Sequence, residues 1–193
     1  MSKKGKMMNI EKMCENRREL VKNLPKSWTR GVEMGVRDGF FSRFILENTN
    51  LDLDSIDPWE ANQELSQPLE SFELCQKNLS SFGKRSKMIK GCGEVEYNNY
   101  PDNSLDFVYI DALHDFDSVY RDVSLWYPKV KIGGIISGHD FSPSWPGVMQ
   151  AVNTFFKQKA ETIYISRPLA AEREQEMEYD GFQPSWWTIK CPI

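Results

Sequence analysis

Apolar and polar residues follow two alternating rhythms along this chain. In some stretches they alternate one by one, which is typical of β-strands, and in others apolar residues recur every three or four positions, which is typical of amphipathic helices. The first rhythm predicts seven strands, at residues 30–34, 51–57, 86–90, 105–110, 133–137, 163–165 and 186–189. Helical stripes separate most of them, which predicts βαβ units and a mostly parallel sheet.

The two ends of the chain depart from this alternation. Ile10 to Leu24 has the pattern of an amphipathic helix before the first strand. No strong helical stripe separates the last two strands, and Arg167 to Gln183 between them is polar and acid-rich. We therefore expect the last strand to run antiparallel, and the segment before it to be either a solvated surface loop or a lid over the substrate.

Length and composition narrow the class of protein. The 193 residues suit a single domain, with an N-terminal helical extension at 1–28 and an α/β core at 29–193. The net charge of −4 argues against a nucleic-acid partner. No apolar run is long enough to span a membrane. The four scattered cysteines suit free thiols in a reducing compartment, so we expect a cytoplasmic protein.

Small and acidic residues follow the strands. Ligands bind at the C-terminal ends of the strands in an open parallel sheet, so these residues are the candidates for chemistry. Gly35 and Gly39, in the turn after the first strand, let the backbone pass close to a ligand. The other candidates, from the first strand to the fifth, are Glu33, Asp57, Trp59, Cys92, Gly93, Glu94, Asp111, His114, His139, Asp140 and Phe141.

Together these motifs resemble the class I S-adenosylmethionine-dependent methyltransferases. They are most similar to the small O-methyltransferase domains of methyltransferase family 24, which include sugar-modifying enzymes. The matching segments are EMGVRDG at 33–39, IDPW at 56–59, DFVYIDALHDF at 106–116 and GHDF at 138–141. The resemblance implies a Rossmann-like α/β sandwich whose seven-stranded sheet has the order 3-2-1-4-5-7-6, with strand seven antiparallel and helices on both faces.

The same resemblance implies S-adenosylmethionine as the cofactor. From its methionine part through the ribose to the adenine, the implied contacts are Glu33, Gly35, Gly39, Asp57, Trp59, Cys92, Gly93 and Glu94. Asp111 would sit beside the sulfonium and the acceptor.

Methyl transfer to a sugar hydroxyl needs a base or a metal, because such a hydroxyl is a poor acid. The chain has two histidines, and both follow predicted strands; His139 is our first choice for the base and His114 the second. Related O-methyltransferases hold a divalent cation through carboxylates after strands four and five. Asp111 and Asp140 are therefore candidate ligands for Mg²⁺ or Mn²⁺, with Asp115 or His139 as a third.

The acceptor site is expected above this edge of the sheet. Phe141 and Trp145 are candidates for its wall, since aromatic rings stack on sugars. We expect a small-molecule or glycan acceptor and no membrane partner. The N-terminal helix either closes the cofactor site or pairs subunits into a homo-oligomer.

Two other functions stay open. A nucleotide-binding oxidoreductase or epimerase is disfavoured, because the chain lacks G-x-G-x-x-G. A non-catalytic, cofactor-binding partner subunit is disfavoured by the two histidines and the two late carboxylates.

Overall fold

A mixed β-sheet forms the centre of the molecule. The computed structural model describes residues 14–60, 70–166 and 183–192. In that part of the chain the sheet has the strand order β3-β2-β1-β4-β5-β7-β6. β1 to β5 run parallel, and β7 is antiparallel to both β5 and β6. The strands are β1 (Arg30–Met34), β2 (Asp52–Asp57), β3 (Ser86–Lys90), β4 (Leu105–Ile110), β5 (Val130–Gly138), β6 (Tyr164–Ile165) and β7 (Trp186–Ile189). The predicted order and the antiparallel last strand are confirmed.

Helices cover both faces of the sheet, and each face has its own apolar core. The helices are α1 (Arg17–Lys22), α2 (Phe40–Asn48), α3 (Ser71–Leu79), α4 (Gly93–Glu96), α5 (Phe116–Trp126) and α6 (Pro146–Lys159). Trp126 and Phe156 belong to the core under α5 and α6, and Leu20 and Ile45 to the core under α1 and α2. β4 is buried along its whole length, as expected of a central parallel strand.

Two elements differ from their predicted bounds by more than one residue. Of the predicted helix from Ile10 to Leu24, residues 10–13 lie outside the described part, and residues 14–16 are not helical. α1 begins at Arg17 because the Asn16 side chain accepts a hydrogen bond from the Glu19 amide and caps the helix there. β5 begins at Val130, before the predicted strand, and its pairing with β4 shifts register just after this residue. The pattern missed this start because two glycines interrupt the alternation. Residues 1–13 and 167–182, which include most of the predicted acidic segment, lie outside the described part.

The strand ends are held side by side by hydrogen bonds that continue past the strands. The Asp111 amide donates to the Met34 carbonyl at 2.9 Å, and the His139 amide donates to the Ile110 carbonyl at 3.1 Å. The residues that follow β1, β4 and β5 therefore meet at one edge of the sheet. Separately, no helix in the described ranges is long and apolar enough to cross a membrane.

Candidate active site

The turn after β1 lies against the end of β4. Gly35 has a φ of +79°, and a Cβ at this position would lie 1.8 Å from the Asp111 carbonyl oxygen. Only glycine fits both the left-handed backbone and this approach. From the motif alone, this glycine was expected to let the backbone pass close to a ligand. In the structure, glycine is also required here because the turn after β1 lies directly against the end of β4.

Glu33, the predicted partner of the cofactor's amino group, is buried beneath this turn. Only 2% of the residue is exposed, and it accepts a hydrogen bond from the Ser42 hydroxyl at 2.5 Å. The Ser42 hydroxyl also lies 3.0 Å from that of Ser55. Burial raises the pKa of Glu33 to about 8, because ionisation here would place a charge in a poorly solvated site. A ligand cation beside this carboxyl group would favour its ionised form.

Asp57, the predicted ribose ligand, organises two loops at the end of β2. Its carboxylate accepts hydrogen bonds from the backbone amides of Arg37 at 2.9 Å and Trp59 at 2.7 Å. The indole of Trp59 returns a hydrogen bond to the Arg37 carbonyl at 2.8 Å and packs edge-on against Phe72. These contacts hold the loops after β1 and β2 together beside the predicted ribose position.

The predicted adenine contacts begin α4, after β3. Cys92 is exposed, and Glu94 forms an ion pair of 2.7 Å with Arg121. The Gly93 carbonyl accepts a hydrogen bond from the Trp126 indole at 3.2 Å, which ties α4 to α5. Asp122 on α5 is not among the residues predicted from the sequence. It is buried, and burial raises the pKa of this carboxyl to about 7. Its place in an amphipathic helix gave no sign that it would turn inward.

Three predicted residues come together where β4 and β5 end. Asp111, His139 and Asp140 each offer a ligand atom, and these atoms lie within 4.8 Å of one another. The Nδ1 atom of His139 is 3.2 Å from a carboxylate oxygen of Asp140 and 3.8 Å from one of Asp111. Asp140 has a φ of +60°, an uncommon left-handed conformation for a residue with a side chain. Asp115, the alternative third ligand, instead caps α5 through the Ser118 amide and is not in this cluster.

His114 joins the cluster through Asp140. Its Nε2 atom is 2.8 Å from the Asp140 carboxylate, and this hydrogen bond raises the pKa of the imidazole. Burial alone would raise the pKa of Asp140, but hydrogen bonds from both histidines outweigh it and hold that pKa below its usual range. The His114 ring stacks on the half-exposed indole of Trp145 at 4.3 Å. Phe141, the other predicted acceptor contact, lies in the core and is 7% exposed.

Arg17 is a site residue that the sequence analysis missed. It lies on α1, yet its guanidinium is 3.1 Å from the Asp111 carboxylate and 4.4 Å from the centre of the Phe41 ring. The residue is 9% exposed. In an amphipathic helix an arginine is expected to face solvent, and 94 positions separate it from Asp111. The sequence therefore carried no signal for this contact.

A comparison with family models decides the family. Residues 32–141, which run from β1 to the end of the candidate site, match the methyltransferase domain of family 24. The chain belongs to this family. The match covers more than half of the chain, and the family is that of S-adenosylmethionine-dependent methyltransferases, as the resemblance predicted. No curated protein sequence matches the chain.

Solved structures share the fold of this methyltransferase at low sequence identity. A protein from Corynebacterium glutamicum is 14% identical with a TM-score of 0.66, over 91% of this chain and 81% of its own. An O-methyltransferase from Bacillus cereus in complex with SAH is 12% identical, with a TM-score of 0.62 and coverages of 90% and 78%. An rRNA methylase from Streptococcus thermophilus is 10% identical, with a TM-score of 0.62 and coverages of 91% and 94%. At these identities the likeness shows the fold and leaves the acceptor open.

The strand ends of this methyltransferase fit S-adenosylmethionine by their chemistry. The cofactor carries a sulfonium and an ammonium cation, and carboxyl groups of Glu33, Asp57 and Asp111 stand at the ends of β1, β2 and β4. Burial raises the pKa of Glu33, and a bound ammonium group would oppose this by favouring the ionised carboxylate.

Proposed function

We propose that this methyltransferase transfers the methyl group of S-adenosylmethionine to a hydroxyl of a small acceptor, with a sugar or glycan favoured. The observation that carries the proposal is the cluster of Asp111, His139 and Asp140, joined by His114 through Asp140. A hydroxyl must lose its proton as it attacks, and this cluster offers both a base and cation ligands for that purpose. S-adenosylmethionine itself supplies a methyl group already activated by the sulfonium.

The donor set supports a divalent cation at this cluster. Asp111 and Asp140 offer carboxylate oxygens, and His139 offers a ring nitrogen. Carboxylates suit Mg²⁺ and Mn²⁺, whereas imidazole is a better ligand for transition metals, so the mixed set favours Mn²⁺ over Mg²⁺. A cation held there would polarise the acceptor hydroxyl and lower its pKa.

The two histidines then take different roles from those first expected. The His139 side chain is 8% exposed and faces both carboxylates, which suits a ligand. The His114 side chain is 28% exposed, and Asp140 orients its ring and raises its pKa. A carboxylate that orients an accessible imidazole is the usual arrangement of a general base. We therefore place His114 first as the base and His139 second.

The acceptor preference rests on Trp145. Its indole is 40% exposed and stacks on His114, so a ring bound against the indole would lie beside the proposed base. Aromatic faces bind the apolar C–H faces of sugars as well as phenolic rings, so both acceptor classes belong in the test.

Binding and turnover test the proposal together. Calorimetry with S-adenosylmethionine, in Mn²⁺ and again in EDTA, should show micromolar binding in both, because Asp111 is the one residue proposed for both the cofactor and the cation, and the other proposed cofactor contacts, such as Glu33 and Asp57, are not cation ligands. Formation of S-adenosylhomocysteine is then measured with simple glycosides, phenols and a ribosomal RNA transcript as acceptors. Turnover on a glycoside or phenol that needs Mn²⁺ is the expected result. Turnover on the RNA alone, or no cofactor binding, would contradict the proposal.

A pair of variants tests the cluster itself. Asp140→Asn should lower kcat by about 100-fold or more, as expected when a group needed in the transition state is lost, and leave the Kd for the cofactor within about threefold. Asp117→Asn is the matched control, because Asp117 is an exposed carboxylate on the first turn of α5. Equal kcat values for the two variants would remove Asp140 from the mechanism.

A further inference from the structure

Arg17 brings a cation from outside the core fold to the cofactor edge of the sheet. Its guanidinium lies 3.1 Å from the Asp111 carboxylate and over the Phe41 ring. It also acts electrostatically on the buried Glu33. The side chain thus contacts the end of β4 and the first turn of α2, and its charge acts on Glu33 near the end of β1. These are the three elements around the predicted methionine part of the cofactor.

The methionine part of S-adenosylmethionine presents two opposite charges. Its ammonium suits the carboxyl groups of Glu33 and Asp111, but its carboxylate would be repelled by the same groups. A carboxylate taken out of water needs a paired cation and hydrogen-bond donors. A guanidinium has five N–H donors in a planar fork, enough to hold Asp111 and a second carboxylate at once.

We propose that Arg17 binds the α-carboxylate of S-adenosylmethionine, so that α1 forms part of the cofactor site and selects the intact amino-acid head group. The inference rests on the proposed function, because it needs the cofactor to bind at these strand ends. It goes further in assigning a recognition role to a residue that precedes the core domain.

The neighbouring arginine provides an internal comparison. Arg18 lies on the same helix, and its guanidinium stacks 5.1 Å from the centre of the Phe44 ring. Both arginines therefore cover a phenylalanine of α2, but Arg17 in addition contacts a carboxylate at the end of a strand. A structural role in joining α1 to α2 belongs to both residues, and the contact with Asp111 belongs to Arg17.

The experiment measures calorimetric Kd values for S-adenosylmethionine and for its decarboxylated analogue, which differ only in the α-carboxylate. The proteins are the wild type, Arg17→Met, Arg17→Lys and the control Arg18→Met. The wild type should prefer S-adenosylmethionine by about 10- to 100-fold, the loss expected for one buried charge-assisted hydrogen-bonded pair. Arg17→Met should lose that preference and bind the analogue as well as the wild type does, or more tightly, since one positive charge has been removed. Arg17→Lys should recover part of the preference, and Arg18→Met should keep it.

The outcomes separate this inference from the proposed function. Equal binding of the two ligands by the wild type would overturn the carboxylate role and leave cofactor use intact. The carboxylate role is likewise overturned if Arg17→Met weakens both ligands equally, because Arg17 then acts through Asp111 or through the fold. If the wild type binds neither ligand, the proposed function itself fails. Should Arg17→Met not fold, by circular dichroism, the wild-type preference and the partial loss in Arg17→Lys decide the matter.

Discussion

Replacing Glu33 by glutamine should make the protein more stable and its stability less dependent on pH. The carboxyl group is buried below the turn after β1, where the Ser42 hydroxyl is its hydrogen-bond donor. Burial raises its pKa from 4.5 to about 8. Glutamine keeps the shape and the ability to accept that hydrogen bond but cannot become charged.

The direction of the effect follows from proton linkage. Between pH 4.5 and about 8 the folded protein keeps a proton on Glu33 that the unfolded chain has released. The free energy of unfolding therefore falls as the pH rises, by up to about 1.4 kcal/mol for each pH unit. The stability contributed by this proton is fully present below pH 4.5, the pKa of the Glu33 carboxyl in the unfolded chain. It is lost by about pH 8, where the folded protein also releases the proton. Over the full range from pH 4.5 to about 8 the loss is on the order of 5 kcal/mol, which is large for a domain of this size.

Urea denaturation at several pH values measures the effect as a difference between proteins. Glu33→Gln should match the wild type near pH 4.5 and exceed its free energy of unfolding by several kcal/mol at pH 9. Other titrating groups, such as Asp122, cancel in the difference. Glu47→Gln is the control, because Glu47 is an exposed residue paired with Arg43 at 2.8 Å on α2. It should shift the free energy of unfolding by less than about 1 kcal/mol at every pH.

Parallel curves for Glu33→Gln and the wild type from pH 4.5 to 9 would refute this reasoning. They would mean that the Glu33 carboxylate is solvated or paired in the folded protein. A second readout is the cofactor: the stable variant should bind S-adenosylmethionine more weakly, since it can no longer balance the ammonium charge. Tighter binding would contradict the assignment of Glu33 to that group.

Three further predictions concern single positions. Gly35→Ala should destabilise the fold by more than about 3 kcal/mol in urea, because its Cβ meets the Asp111 carbonyl. Gly133→Ala, at a similar φ of +81° but with nothing within 4 Å, should cost only about 1 kcal/mol, and equal losses would argue against the clash. Asp122→Asn should raise the free energy of unfolding above pH 7, because it removes a carboxyl whose pKa burial raises to about 7; unchanged stability at pH 9 would contradict this. Trp145→Ala should raise KM for the acceptor by about tenfold and leave the cofactor Kd unchanged, whereas a change in that Kd alone would remove the indole from acceptor binding.

The site residues that could be predicted are those whose positions follow from the pattern of strands along the sequence. A strand is visible in the sequence as alternating residues, and the residue after it necessarily reaches the edge of the sheet. Asp57, Asp111 and His139 could be placed there because each directly follows or ends a strand, and Glu33 because it is the last residue but one of β1. The strand order came from the family resemblance, and the sheet confirms it.

Contacts between distant segments could not be predicted in this way. The helical pattern identifies which face of α1 is apolar, but it does not show which charged residue at the margin of that face turns inward. Arg17 is such a residue, and its partner Asp111 is fixed only when the fold is complete. The contact that makes Gly35 necessary is likewise tertiary, since it depends on how closely β1 and β4 converge.

The backbone of Asp140 has a consequence for how this position can vary among relatives. At a φ of +60°, glycine is the residue that the chain geometry favours most, and aspartate or asparagine is held there against a local penalty of about 1 kcal/mol. In a relative that no longer needs the carboxylate, substitutions at this position would therefore tend toward glycine or asparagine, which keep the turn. A family member with either residue here would keep the turn and lose the charge between the two histidines. If Asp140 has the role proposed above, the amino acid at this position serves as a sequence marker that separates active enzymes from relatives that retain only the fold.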